Sequence, residues 1–291
     1  MTQFLPLGLL AVFTPGFLLA RGSHAHEVTR DRLWRLIYWV GVCTLPVLLA
    51  SAPIRAAGPA VFAAFGCLVC VTTAASIYGR HRYPASAERA AFTLSALWPN
   101  TGFLGLPVCA ALLGSSSLPT AALYSSLASA PHNMLVGGSV AASHTHSGKA
   151  ALRSALLHNR FVLPVVIGLV WAASGVGTCG LGGPARRVAL ASAFPAFLAL
   201  GLTLGKLNLR PDRDVGAALA LRLVLSPALL LGASVVIHVP EAFLIQAGMA
   251  TGLNTLTMSV EHGLPQGHIA RCVAWSTGLV LAATCVLVAA T

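Results

Sequence analysis

The sequence predicts an all-α integral membrane protein: ten transmembrane helices in two inverted five-helix repeats, with the fourth and ninth helices broken. Three observations carry this reading. Charged residues make up 9% of the 291 and hydrophobic ones 56%, with a mean hydropathy of +0.81, whereas a soluble domain carries about a quarter charged residues. Apolar runs bounded by charge, glycine and proline recur along the chain, and at about 20 residues per span ten of them leave no room for a separate soluble domain. The basic residues fall almost entirely on alternate connections, as they do in a chain threaded back and forth through a membrane.

In the first half the apolar runs are 4–20, 33–51, 59–78, 90–113 and 120–142; in the second they are 155–176, 188–207, 215–238, 242–262 and 267–290. The first follows Met1-Thr2-Gln3 with no basic region before it, so it reads as a retained span and not as a cleaved signal peptide. The expected organisation is a first repeat over 1–142, a connecting loop over 143–154 and a second repeat over 155–291. An even number of spans puts both ends on one side. Lys and Arg then divide fourteen to three between the two sets of connections, with Arg222 inside a span. The rich set includes Arg82, Lys149, Arg153, Arg160, Lys206, Arg210, Arg213 and Arg271, and is cytoplasmic; the poor set is Arg55, Arg186 and Arg187, and both termini are outside.

The halves match in order. Leu45-Pro46-Val47-Leu48-Leu49 in the second run has a counterpart in Phe194-Pro195-Ala196-Phe197-Leu198 in the seventh, and Asn100 in the fourth has one in Asn254 in the ninth. Five is odd, so equivalent helices run in opposite directions, which makes the repeat inverted. The fourth run contains Trp98-Pro99-Asn100-Thr101-Gly102-Phe103-Leu104-Gly105-Leu106-Pro107. An uninterrupted membrane helix avoids such a run, because a break there leaves backbone N–H and C=O groups unpaired at depth unless protein or a water-filled cavity satisfies them. Pro99, Gly102, Gly105 and Pro107 are the expected breaking residues, and Gly248 and Gly252 those of the ninth run. A proline-kinked helix packed by small residues is the alternative. Two interrupted helices at corresponding positions point to a midplane binding site. If they cross, Asn100 and Asn254 come together beside half-helix N-termini, which suits an anion such as a carboxylate.

Several classes are excluded or disfavoured. The net charge of +11 is spread over short connections, which argues for topology and against nucleic acid. The seven cysteines lie mostly inside apolar runs, and Cys67 and Cys70 have no second pair, so neither a disulfide framework nor a metal site is expected. The H-x-H pairs His24/His26 and His144/His146 lack further ligands. An intramembrane hydrolase would need a dyad such as Ser129 with His132, and the G-x-S-x-G, paired-Asp and H-E-x-x-H contexts are missing. A broken-helix filter also keeps a channel in view.

The run from Asn100 to Pro107 resembles the fourth-helix signature of the auxin efflux carrier family, which includes plant auxin exporters and bacterial malonate-type permeases. Phe194-Pro195 through Leu200-Gly201 to Leu204-Gly205, and Leu221-Arg222-Leu223-Val224-Leu225-Ser226-Pro227, resemble the family too. The resemblance implies ten helices in two inverted repeats, fourth and ninth helices crossing at their broken segments, an elevator-like movement of organic anions, and substrate contacts at Asn100 and Asn254. The sequence departs from the family at Ala250, where a proline usually stands. The short connecting loop resembles a compact bacterial member, and so implies a bacterial inner (cytoplasmic) membrane.

Other candidates follow from position. Thr101, Thr251 and Gln246 offer hydroxyl or amide contacts near the breaks. Pro131-His132-Asn133 puts a polar pair inside the fifth run, lining a pathway or bonding between helices, with His132 able to take up a proton. Arg222 could attract an anion, anchor a partner helix or snorkel to the cytoplasmic side near Arg213. Glu261 and His262 close the ninth run as a coupling or gating pair, or as solvated interfacial residues. No Asp or Glu lies at the centre of a run. The leading function is a secondary transporter of small organic anions. The alternative is a sodium-coupled bile-acid-type symporter of the same superfamily, with Asn100, Thr101, Asn254, Thr255 and Thr257 among its oxygen ligands. No cofactor is expected; membrane lipid surrounds the chain, and coupling to a proton or sodium ion and a homodimer fit the composition.

Overall fold

The structure is a computed structural model that describes residues 4–22, 27–143, 162–205 and 207–290. All but the first residue of the expected connecting loop, together with Arg160, Lys206 and the two H-x-H pairs, lie outside these residues. Among the described residues the chain is helical, and its only extended pairing is a single bridge between Pro99 and Thr251.

The first half opens with α1 (Leu5–Gly22), α2 (Glu27–Ala50) and α3 (Ile54–Arg82). The fourth apolar run is split into α4 (Ser86–Leu97), a π turn over Thr101–Gly105 and α5 (Leu106–Leu113). The fifth is a string of short pieces, α6 (Leu118–Leu123), α7 (Ala130–His132) and α8 (Gly138–Ala142), joined by π turns over Tyr124–Ser129 and Asn133–Gly137. The second half has α9 (Val162–Ser174), α10 (Gly182–Ala191), α11 (Ala193–Leu204) and α12 (Arg213–Leu219), then a π turn over Ala220–Leu225 and α13 (Ser226–Ala233). It ends with α14 (Glu241–Ala247), α15 (Asn254–Glu261) and α16 (Gln266–Ala290).

Three of the four π turns among the described residues share a cause. Proline lacks an N–H and its ring collides with the carbonyl four residues back; Pro107, Pro131 and Pro227 each stand just after a π turn, whose wider winding relieves that collision.

Among the described residues five stretches are long and apolar enough to cross a membrane: α2, α3, α10 with α11, α12 with α13, and α16; Leu5–Arg21, Thr101–Leu113 and Leu163–Ser174 are shorter apolar helices. Large apolar side chains such as Phe62, Leu163, Val170 and Val286 remain exposed on the outside, the arrangement of a helical membrane protein whose lipid-facing surface is as apolar as its interior.

Helix contacts are close where glycine allows it. A Cβ on Gly16 would stand 2.6 Å from the Leu198 carbonyl oxygen, and one on Gly201 would stand 2.7 Å from the Phe17 nitrogen and collide with the Phe13 carbonyl. Gly201 and Gly205, four apart, therefore let α11 lie backbone to backbone on α1. A Cβ on Gly168 of α9 would reach 2.8 Å from Leu49 on α2.

At one end, Arg82 Nε donates to Asp214 at 3.0 Å, the Tyr78 hydroxyl donates to the same carboxylate at 3.3 Å, and Arg271 Nη2 donates to Asp212 at 2.8 Å. These contacts tie the ends of α3, α12 and α16. Burial, with the Asp214 carboxylate beside it, pushes the Tyr83 phenol up, so it stays a neutral donor.

Candidate binding site at the crossing of two broken helices

Pro99 ends α4. The residue before a proline is driven out of the helical region, and Trp98 sits at φ −98° and ψ 101°. The ninth apolar run breaks without a proline. α14 stops at Ala247, Gly248 caps it, and α15 begins again only at Asn254.

The two unwound segments cross antiparallel. The Asn100 N–H donates to the Ala250 carbonyl at 2.7 Å, and the Gly252 N–H donates to the Trp98 carbonyl at 2.7 Å. Each break thereby satisfies backbone groups that the other exposes, with no water required. A Cβ on Gly252 would lie 2.8 Å from Trp98 Cδ1 and 3.2 Å from the Pro99 carbonyl oxygen, so glycine is what permits the approach. Ala250 contributes its carbonyl to the bridge, a contact that needs no proline.

Around the bridge, side chains take up the orphan groups of the helix ends. The Thr251 hydroxyl donates to the Ser95 carbonyl at 2.8 Å and the Thr251 N–H donates to Ser276 Oγ at 3.0 Å. Gln246 Nε2 donates to the Thr101 carbonyl at 3.1 Å. Its Oε1 fills the place a Cβ on Gly105 would occupy.

One face of the crossing opens on a cavity of about 190 Å³. Pro99, Asn100, Thr101, Gly102, Gly252 and Asn254 line it from the crossing; Ser125, Ser126, Ser129 and Asn133 line it from the fifth run; Thr44 and Ser192 line it from α2 and from the joint between α10 and α11. Among the described residues no charged side chain lines it. The helix from Thr101 and the helix from Asn254 both start at this cavity, so their positive dipole ends are gathered there; at the second, the Thr255 and Leu256 N–H groups bond back to the Gly252 and Leu253 carbonyls. Asn100 is 4% exposed and its amide nitrogen has no hydrogen-bond partner. Thr101 Oγ1 and Ser125 Oγ are 2.7 Å apart, and Asn133 Nδ2 donates to Ser129 Oγ at 3.1 Å.

Of the residues singled out in the sequence, Asn100, Thr101, Asn133 and Asn254 thus meet at one cavity, together with Pro99 and Gly252 of the breaks and Gly102, which lies in the π turn after the first break and does not itself interrupt the helix. Gln246 and Thr251 brace the crossing from behind. Gly248 ends α14, and Pro107 is buried in α5. His132 is fully buried behind Asn133, with Nε2 3.0 Å from Thr72 Oγ1 and Nδ1 3.4 Å from Asn133 Oδ1. Its hydrogen-bond partners among the described residues are therefore those two, and Ser129 accepts from Asn133, so the Ser129–His132 pair does not form a nucleophile and base. Glu261 is exposed and His262 half-buried at the far end of α15, away from the cavity lining.

Arg222 does not snorkel. It is wholly buried and is not among the cavity-lining residues. Nη1 donates to the Leu97 carbonyl at 3.4 Å, and Nη2 donates to Ser226 Oγ at 2.7 Å and to the Ala247 carbonyl.

Ser125 and Ser126 were missed in the sequence, and Ser129 entered only as a hydrolase candidate, although a signal existed: Ser125, Ser129 and Asn133 recur every four residues and share one helical face. Thr44 and Ser192 gave none, because each is a single hydroxyl in an apolar run. Among the described residues no group of three or more His, Cys, Asp and Glu could hold a metal ion.

Two broken helices that cross over a polar cavity inside an apolar helical bundle define a membrane protein with an internal site. No family model matches the chain. A protein of Methanothermobacter thermautotrophicus named an uncharacterized transporter is 26% identical over 219 aligned residues, covering 72% of this chain and 70% of that protein. The chain is thus a helical membrane protein similar over most of its length to a transporter, and this points to transport and away from an enzyme.

Proposed function

We infer that the protein is a secondary transporter of small organic anions, carboxylates foremost, with ten spans in two inverted five-helix repeats and an elevator-like alternation of access. The observation that supports this best is the Asn100 amide, buried and unpartnered beside a cavity on which two half-helices present their N-termini. Such a site favours negative charge through dipoles and N–H donors. Among the described residues it holds no formal positive charge at the ligand, so the anion is not trapped. The resemblance to the auxin efflux carrier family agrees with this reading, as does the pairing of Arg82 with Asp214 and Arg271 with Asp212. Those pairs join three connections that the basic-residue count assigns to one side, the cytoplasm, with both termini outside and the chain in a bacterial inner membrane.

The test is uptake of malonate and a panel of labelled carboxylates into proteoliposomes, with and without sodium and pH gradients. Saturable, slow flux of at least one anion is expected. Flux that does not saturate, with single-channel currents, would replace the transporter by a channel. Strict dependence on sodium would favour the bile-acid-type symporter.

A further inference from the structure

Two half-helix C-termini meet behind the crossing. α4 ends at Leu97 and α14 at Ala247, and each end carries up to about half an elementary negative charge; the Trp98, Gly248 and Met249 N–H groups and the Thr251 hydroxyl take the Leu94, Ser95, Leu244, Ile245 and Gln246 carbonyls of the last turns. The carbonyls of Leu97 and Ala247 both accept from the Arg222 guanidinium, which also meets the hydroxyls of Ser226 and Tyr124. Ion pairs among the described residues include Arg30–Asp31, Arg82–Asp214 and Arg271–Asp212; none of these involves Arg222, although it is 0% exposed. A cation without a counter-ion is costly to hold at this depth. What faces it is a pair of dipole ends that together amount to about one negative charge.

We propose that Arg222 is a fixed internal cation, which binds the C-terminal ends of the two broken helices into one body and offsets their negative dipole ends. The division of the crossing follows from this. Its N-terminal ends stay uncompensated and face the cavity, while its C-terminal ends are neutralised on the opposite side, so the field at Asn100 stays positive. A guanidinium suits the position because its planar fork reaches two carbonyls and a hydroxyl at once, which an ammonium on a flexible stem does less well. Arg222 is thus a positioning residue, acting on the ligand through the helices. The neutralising role stands on geometry alone; its consequence for transport rests on the function proposed above.

The experiment compares the wild type with Arg222→Ala, Arg222→Gln and Arg222→Lys. Thermal melting is read in detergent and carboxylate flux in proteoliposomes, each with millimolar guanidinium chloride or with sodium chloride at the same ionic strength. Arg222→Ala is expected to melt lower and to lose flux, and guanidinium is expected to restore part of both in this variant while leaving the wild type unchanged. Arg222→Lys should keep more of both than Arg222→Gln, which hydrogen-bonds without charge. Wild-type melting and flux in Arg222→Gln would overturn the proposal, as would guanidinium acting equally on all four proteins. If the wild type carries no anion, the transport reading fails while the melting comparison still decides the internal cation. If Arg222→Ala does not fold, the order of Arg222→Lys and Arg222→Gln decides it.

Discussion

Asn100 and Gly252 act through different atoms, and substitution separates them. The Asn100 side chain takes no part in the bridge, which uses its backbone N–H, and its amide nitrogen is buried without a partner. Removing an unsatisfied donor is neutral or stabilising, so Asn100→Ala is expected to melt at or above the wild type while losing its ligand. A clearly lower melting temperature would mean that the amide is structural. Gly252 is the reverse case. A methyl group there meets Trp98 and Pro99, and Gly252→Ala is expected to destabilise by about 1–3 kcal/mol. Unchanged melting would show that the segments do not approach this closely. The Asn100 motif was legible in the sequence because proline, glycine and asparagine in an apolar run have few other uses. The reach of Arg222 was not, because a lone arginine in a span gives the same pattern whether it snorkels or turns inward, and only the packing of α12 and α13 beside α4 and α14 decides.

At the scale of elements, the chain separates glycines that bring helices together from those that face open space. Gly201 and Gly205 bring α11 onto α1, whereas a Cβ on Gly58 or Gly66 of α3 meets nothing within 4 Å. Gly201→Leu is therefore expected to disrupt the α1–α11 pair and lower the yield of folded protein, while Gly66→Ala is expected to be neutral or to stabilise by up to about 1 kcal/mol. Equal effects on melting and yield would contradict the packing. The G-x-x-x-G spacing was visible in the sequence, but its partner was not, since α1 and α11 stand far apart along the chain. The break in the ninth run was also only half legible. Gly248 and Gly252 marked it, yet the family's proline was missing at Ala250, and what keeps the segment unwound is the strand of the other half crossing it.

At the scale of the whole molecule, the alternation of basic connections ordered the runs in the sequence, and the ion pairs at the ends of α3, α12 and α16 bring connections of one set together. Arg82 is 57% exposed in its pair with Asp214, so Asp214→Asn should cost no more than about 1 kcal/mol of stability; the pair marks a side more than it holds the fold. Sidedness has its own test. Cys179 is exposed in the connection between α9 and α10, which belongs to the expected outer set. In a variant that keeps only this cysteine, an impermeant maleimide is expected to label it in intact cells. A cysteine in place of Ala85, in a variant otherwise lacking cysteine, should be labelled only after permeabilisation; the opposite pattern would invert the topology.

The measurement that bears most directly on the whole account is uptake of a labelled carboxylate by proteoliposomes of the wild type, Asn100→Ala and Asn254→Ala at matched incorporation. The account predicts saturable flux in the wild type, its loss in Asn100→Ala and a reduction in Asn254→Ala, with all three proteins folded. Flux at the wild-type level in both variants would contradict a ligand site at the crossing of the two broken helices.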